Sequence, residues 1–591
     1  MAALYSTTKL KLFFLHSKTK IIRTAVRQFT LLNAKQQKKK ASKVKAVENL
    51  VQKPKGSEKV RERGVKSDLS TEHLINNLDV FDSAKSANGA SLFKDILRDR
   101  YNQAKRSVVI RTQNPESTIQ SLLTFGNLKH AQFTSQDKAY ILAEFTNEAT
   151  VARLQQTAGF FTEPNQFPMR TRVMFDISSR PQRKHRPLPQ IDEVNWSDKS
   201  SKTYPVMAEL QQEVESLCAR RSIDDRDLRS RFFVCLQLEE MLQSVLPEAY
   251  VLPFGSCLNG FGWWDSDLDM MLCFSKELCS TQVTTAQNGR SSDFRMLTET
   301  FSSSRLLAQS TLSMVASLLQ LTPRVHHVSK ILNARVPIIR FKNMAVSLDC
   351  DISLQAMDSI KMTELLYLYS VCDPRVKPLM TVIKQWAICH HLTAGGEQQK
   401  PTTIGMLFML LHYLQTRSPQ VVPTLKTLQS YASTTDMFYI DDTVYGLPSK
   451  PSLIPRSQNK ETIDTLLHGF FTFYSEFDFK NKAISVIEGC TFAKPADATP
   501  VYIENPLSNG LNICRNVGGT QLKHFITAMK DAASKLETLN VKPGKSPVSR
   551  LSVLFSTNQD SQNLEPVQIS QLFPEVEDNS IDLVNNQSNV A

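Results

Sequence analysis

The spacing of apolar positions along the chain changes period several times, and each change predicts an element. Between residues 107 and 175, short runs alternating at period two read as strands: 107–112, 129–135, 138–146 and 169–175. Helical spacing over 115–126 and 147–159 falls between them. The resulting order, β-α-β-β-α-β, is that of a ferredoxin-like module of the kind used by RNA-recognition motifs. Residues 204–247 then read as two amphipathic helices. Strand patterns return afterwards. In 266–274, Leu268, Met270 and Leu272 are apolar at period two, and 336–343 and 345–354 predict two more strands. Beyond 361 the pattern is largely helical, with Met406, Met409 and Leu410 on a core-facing stripe. The predicted fold class is therefore α+β.

Charge divides the chain further. The 591 residues carry a formal net charge of +13, but 12 Lys and Arg precede the first acid, Glu48, and residues 67–591 sum to −2. The basic character thus belongs to one terminal segment. At about 100° per residue, Lys20, Arg23 and Arg27 share one stripe, and Ile21, Ile22, Ala25, Val26 and Phe29 share the other. An acid-free, basic, amphipathic N-terminus has the composition of a mitochondrial transit peptide, which implies the matrix. The alternative is a basic arm that binds RNA. The longest apolar run, 406–411, is cut off by His412 and is far shorter than the ~20 residues of a membrane span. The ten cysteines show no C-x-x-C pair, which argues against structural zinc.

These patterns predict a transit peptide and basic arm at 1–47, a flexible connector at 48–90 and the ferredoxin-like module at 91–180. A basic linker follows at 181–203, rich in Pro, Arg and Lys, then an α+β body at 204–360 and a helical body at 361–540. Residues 275–293 read as a polar excursion and 541–591 as a disordered tail. Within the module, Tyr140 is a candidate base-stacking residue. Val109 and Leu142 stand where further aromatics would be usual, so a role in packing or dimerisation is the competing reading.

The chemistry concentrates in 251–274. Gly255-Ser256 follows an apolar strand-like run, and Asp267 and Asp269 come eleven residues later. Period two puts these carboxylates on one face of a strand, where they repel unless a cation lies between them. Such hard oxygen ligands suit Mg²⁺ or Mn²⁺. A Gly-Ser turn opening a helix offers N–H groups and a hydroxyl to a phosphate. A two-ion site needs one more carboxylate from a neighbouring strand, and 345–354 offers Asp349 and Asp351, again at period two.

Taken together, "FGS", "DSDLDMML" and "CDIS" resemble the polymerase-β-like nucleotidyltransferase superfamily. Within it the chain resembles the template-independent poly(A)/uridylyl polymerases over roughly 204–535, with 364–387, 462–486 and 502–518 resembling their helical, polymerase-associated region. The N-terminal segment and module add a likeness to the mitochondrial poly(A) polymerase type. The resemblance implies a nucleotidyltransferase domain at 204–360 and a polymerase-associated domain at 361–540. It implies transfer of AMP from ATP to RNA 3′ ends with two Mg²⁺ or Mn²⁺ ions, and homodimerisation through the N-terminal module. It places the third metal carboxylate at Asp351 and a triphosphate-contacting lysine at Lys384. Gly255, Ser256, Asn512 and Arg515 become further nucleotide-binding candidates. Uridylyl members carry a carboxylate-Pro pair and later His-Asn; Asn505-Pro506 and Leu511-Asn512 stand here, which favours ATP over UTP. Met362, Gly405 and Ile388 also depart from the family pattern. Terminal uridylyl transfer, or a catalytically silent RNA-binding scaffold, remain the alternatives.

Overall fold

The computed structural model describes residues 93–557 except 160–170, 177–190, 193–195, 248, 275–304, 323, 355–356, 394–398, 441–442, 497–498, 509 and 542–547. The expected transit peptide, connector, Pro/Arg strip at 179–190 and polar excursion at 275–293 lie outside the described residues.

The N-terminal module begins with a helix the sequence reading did not resolve, α1 (Phe93–Lys105). Strand β1 (Ser107–Arg111), helix α2 (Pro115–Phe125), strands β2 (Leu128–Phe133) and β3 (Tyr140–Phe145), helix α3 (Glu148–Thr157) and strand β4 (Val173–Phe175) then follow the expected order. Asn114 caps α2 by accepting from the Ser117 amide, with Pro115 preset for the first turn, and Asn147 caps α3 through Ala149. The sheet order is β2-β3-β1-β4.

Strand alternation splits the module's apolar residues between two cores. Val108, Ile110, Ile141 and Ala143 pack with Ile119, Leu122, Val151 and Leu154 of α2 and α3. Val109, Leu142 and Val173, on the opposite face, join Leu97 and Tyr101 of α1 and a core that continues into the five-stranded sheet formed later in the chain. The face on which an RNA-recognition module would stack bases is therefore covered by the chain's own helices.

Linker helix α4 (Trp196–Ser200) leads to α5 (Leu210–Arg221) and α6 (Asp225–Gln243), the two expected amphipathic helices. Buried Lys199 sits 3.0 Å from both Asp224 and Asp227, the reciprocal capping pair at the start of α6. The end of the expected basic linker is thus docked on α6. Next come β5 (Ala249–Pro253), β6 (Leu268–Phe274), α7 (Arg305–Leu319), β7 (Val325–Ile331), β8 (Ile338–Asn343) and β9 (Leu348–Leu354). They form a five-stranded sheet of order β5-β6-β9-β8-β7, in which β6 and β9 run parallel and the other neighbours antiparallel.

The helical body contains α8 (Met357–Cys372), α9 (Val376–Cys389), α10 (Thr403–Gln415), α11 (Leu425–Gln429), the hairpin β10 (Met437–Ile440) and β11 (Thr443–Gly446), α12 (Ile463–Ser475), the hairpin β12 (Lys482–Ser485) and β13 (Cys490–Ala493), α13 (Gly519–Val541) and α14 (Arg550–Phe555). Its core gathers Trp386, Phe408, Phe470 and Met529, and Trp386 packs edge-on to Phe471 at 4.8 Å. Helix α14 corrects the expectation of disorder throughout 541–591. Leu551, Leu554 and Phe555 are buried in this core, and Phe555 meets Tyr204 at 4.9 Å. Buried Glu213 of α5 accepts from Ser549 Oγ at 2.5 Å and the Leu551 amide at 3.0 Å. A carboxylate at a helix N-terminus satisfies donors that would otherwise be unpaired and opposes the helix dipole.

Candidate active site

The site forms where β5 ends beside the start of β6, which pairs with β9. Leaving β5, the chain turns at Gly255, which holds φ +71° and starts a single 3₁₀ turn, Gly255–Cys257. The expectation of a turn opening a helix is corrected here: only this short turn follows. The positive φ favours glycine. So does space, because a Cβ at this position would lie 2.7 Å from Asp269 Oδ2. The Gly255 amide donates to Thr363 Oγ1 of α8 at 2.8 Å, and the Phe254 amide donates to the Asp269 carbonyl at 3.0 Å. Ser256 Oγ is buried and has no hydrogen-bond partner among the described residues. An unsatisfied buried hydroxyl is unfavourable by ~1–3 kcal/mol, so its retention points to a ligand.

Parallel pairing brings the acids together. Asp269 on β6 is in register with Asp351 on β9. Asp267, Asp269 and Asp351 each offer an oxygen within 4.8 Å of the others, the one cluster of this kind among the described residues. Asp351 is buried, Asp269 half-buried and Asp267 exposed. Burial first, then the charges of Asp267 and Asp351, push the Asp269 carboxyl up to about 7. Burial and Asp351 also raise Asp267. Three carboxylates this close are the oxygen donor set of a divalent cation, so the residues present fit the expected metal. Asp349, the alternative on β9, lies outside the cluster. Its side chain is largely exposed, 3.9 Å from Lys342.

Arg340 of β8, opposite Asp351 in the β8–β9 register, holds both of its oxygens in a fork. Nε donates to Oδ1 at 2.8 Å and a terminal nitrogen to Oδ2 at 2.6 Å. This contact was not assigned from the sequence, although Arg340 lies in a strand that was. Also unforeseen was Arg231, whose buried guanidinium donates to the carbonyls of Trp264 at 3.0 Å and Ser266 at 2.8 Å, immediately before Asp267.

Lys384 of α9 enters from the helical body. Its Nζ lies 4.1 Å from the centre of the Trp263 ring, with the Arg221 guanidinium 5.1 Å from the same centre. Burial lowers the Lys384 ammonium to about 8, against the opposing pull of Asp265 and Asp267. It is a half-buried cation on the side of Asp265 and Asp267.

The remaining candidates sit differently. The Asn512 amide is fully committed to protein: its oxygen accepts from the Ile503 and Cys514 amides, and its nitrogen donates to Thr499 Oγ1 and the Val501 carbonyl. It holds a loop, with no group left for a base. Arg515 is exposed. Tyr140 is half-buried against the shared core, and Arg324 lies 5.8 Å from its ring centre and 4.2 Å from that of Phe175. A guanidinium thus approaches the ring where a stacked base would come. Gly405 is buried, with the space of a Cβ met by Cys514 Sγ at 2.7 Å. Ile388 is exposed.

Two family descriptions match the chain: "Poly(A) RNA polymerase, mitochondrial-like, central palm domain" over residues 210–371, and "Cid1 family poly A polymerase" over residues 462–507. The mitochondrial poly(A) RNA polymerase of Homo sapiens is 30% identical over 464 residues, spanning 75% of this chain and 76% of that protein. That of Mus musculus is 27% identical over 455 residues, spanning 75% and 77%. The crystal structure of mtPAP in its apo form aligns with a TM-score of 0.70 and 28% identity, across 78% of this chain and 99% of that one. The structure of mtPAP in complex with ATPγS gives 0.68 and 27% over the same shares. This chain belongs to the mitochondrial poly(A) RNA polymerase family.

Proposed function

We propose that the protein is a polynucleotide adenylyltransferase that adds AMP from ATP to the 3′ ends of mitochondrial RNAs without a template, releasing pyrophosphate. The observation that carries this reading is the convergence of Asp267, Asp269 and Asp351 beside the Gly255-Ser256 turn. Asp267, Asp269 and Asp351 would together hold divalent metal, Mg²⁺ or Mn²⁺. When bound, such ions ease deprotonation of the attacking hydroxyl and offset charge on the departing phosphates. The protein's own groups orient the reactants. The Ser256 hydroxyl and the Gly255 turn face the terminal phosphates, and the Lys384 ammonium meets them as a point charge. Because β6, β9 and the turn share backbone hydrogen bonds, phosphate and carboxylates are held in one rigid frame. The amphipathic N-terminus supports action in the mitochondrial matrix. A homodimer formed through the N-terminal module would use surfaces that α1 and α6 leave uncovered, and a solution mass near one chain would refute it.

A solved relative, mtPAP, is also described in complex with UTP, so nucleotide choice needs direct measurement. The test is extension of a 3′-hydroxyl RNA primer with each nucleoside triphosphate separately. ATP should support the longest products; preferential UTP incorporation would replace adenylyl by uridylyl transfer. RNA binding without incorporation of any nucleotide would leave a silent scaffold.

A further inference from the structure

The fork from Arg340 to Asp351 raises a question of occupancy. Both carboxylate oxygens are used by one guanidinium, at 2.6 and 2.8 Å. Asp351 is also the most buried acid of the cluster, so few other approaches to its oxygens remain. A divalent ion binding there would share an oxygen with Arg340 and bring a second positive charge beside its guanidinium, so the two compete for Asp351. The arginine can give way. Its side chain is 53% exposed, so its outer part rests on little packing that a swing would break. Among the described residues, Arg340 makes its fork to Asp351; Asp267 and Asp269 feel its charge at longer range.

We propose that Arg340 is a built-in counter-ion for the metal site, which occupies Asp351 until nucleotide and metal arrive and then transfers its fork from the carboxylate to the incoming phosphates. The idea rests on the reading above, in which the three carboxylates hold divalent metal. A guanidinium fork matches a phosphate as well as a carboxylate, so the exchange keeps two charge-assisted hydrogen bonds. Metal and nucleotide binding become coupled through one side chain. Metal alone must compete with the arginine for Asp351 without offering it a new partner, whereas metal with a triphosphate offers one. By linkage, nucleotide then tightens metal binding, and metal tightens nucleotide binding, by the same factor. Arg340 thereby acts as a positioning residue that discourages premature loading of metal.

Direct titration of the full chain with Mn²⁺, following free ion by electron paramagnetic resonance with and without ATP, tests this. Arg340→Leu should bind Mn²⁺ on the order of tenfold more tightly than wild type without nucleotide, and the gain on adding ATP should shrink by a similar factor. Arg340→Lys separates occupancy from charge. It keeps the positive charge but cannot make the fork, so it should also bind Mn²⁺ more tightly than wild type, by roughly threefold. A Lys variant that binds Mn²⁺ no more tightly than wild type would overturn the exchange and leave only a distant charge effect, and it carries the test if the Leu variant does not fold. A Leu variant of unchanged or weakened affinity would overturn it equally. Absence of Mn²⁺ binding by wild type even with ATP would instead defeat the metal reading itself.

Discussion

Glu144 on the ferredoxin-like sheet and Asp269 on the catalytic sheet are both carboxylates withdrawn from water, yet their surroundings are opposite. Glu144 is fully buried and held by two arginines, Arg106 at 2.7 Å and Arg229 of α6. Asp269 faces two other acids, and the nearest guanidinium is spent on one of them. The first arrangement is complete: it ties β3 to α6 and fastens the module to the catalytic body. The second is incomplete without a cation from outside. Comparing them separates acids that build the protein from acids that wait for a ligand.

Substitutions should break that contrast in order of size. Asp269→Asn should reduce primer extension by on the order of 10³-fold or more, since it removes a ligand from a unit whose members act together. Retained extension would place the chemistry elsewhere. Glu144→Gln should leave the rate per folded molecule near normal but lower unfolding free energy by about 3–5 kcal/mol, because two partly buried arginines lose their shared charge. Denaturant titration measures it.

The third test gives the same Asp269→Asn variant the opposite sign to Glu144→Gln. The native Asp269 carboxyl lies at about 7, above its usual ~3.9 in an unfolded chain. Between those values the native state binds the extra proton, so its contribution to stability falls as pH rises through that window. In chelator at pH 7.5, Asp269→Asn should therefore be more stable than wild type by on the order of 1–3 kcal/mol, and the difference should vanish near pH 4. Equal melting at both pH values would remove the claimed crowding.

Smaller effects concern the cations. Lys384 loses its proton as pH rises through about 8, so KM for ATP should climb roughly three- to tenfold between pH 7 and 9. Lys384→Met should abolish that slope. Tyr140→Leu should change RNA affinity less than about twofold, because its face of the sheet is already covered; a tenfold loss would restore it as a base reader.

Period-two spacing was enough to put Asp267 and Asp269 on one face of a strand, because side-chain alternation in a strand is a local property. The choice between Asp349 and Asp351 was not local. It depends on how β6 and β9 align, and only the resemblance resolved it from sequence. The Arg340 fork had a signal that went unused. A hairpin turning through 344–347 pairs Asn343 with Leu348 and, three steps back along each strand, Arg340 with Asp351. Strand β7 was missed because its burial follows no two-residue alternation and its His326-His327 pair reads as surface. Asn512 misled because a polar residue in a nucleotide-like position can spend every hydrogen bond on its own loop. Helix α14 was hidden because its three buried residues sit in an otherwise polar tail, and its anchor, Glu213, lies more than 300 positions away.

That anchor sets a boundary for anyone shortening the protein. Cutting after residue 557 would keep the Glu213 contacts and the Lys535 bond to the Ser556 carbonyl. Cutting at 541, where composition suggests the body ends, would strand a buried carboxylate and open an apolar trough lined by Tyr204 and its neighbours. The shorter polypeptide should be recovered largely as aggregate, and a Glu213→Gln change made together with the cut should raise its yield only in part, since the trough would remain.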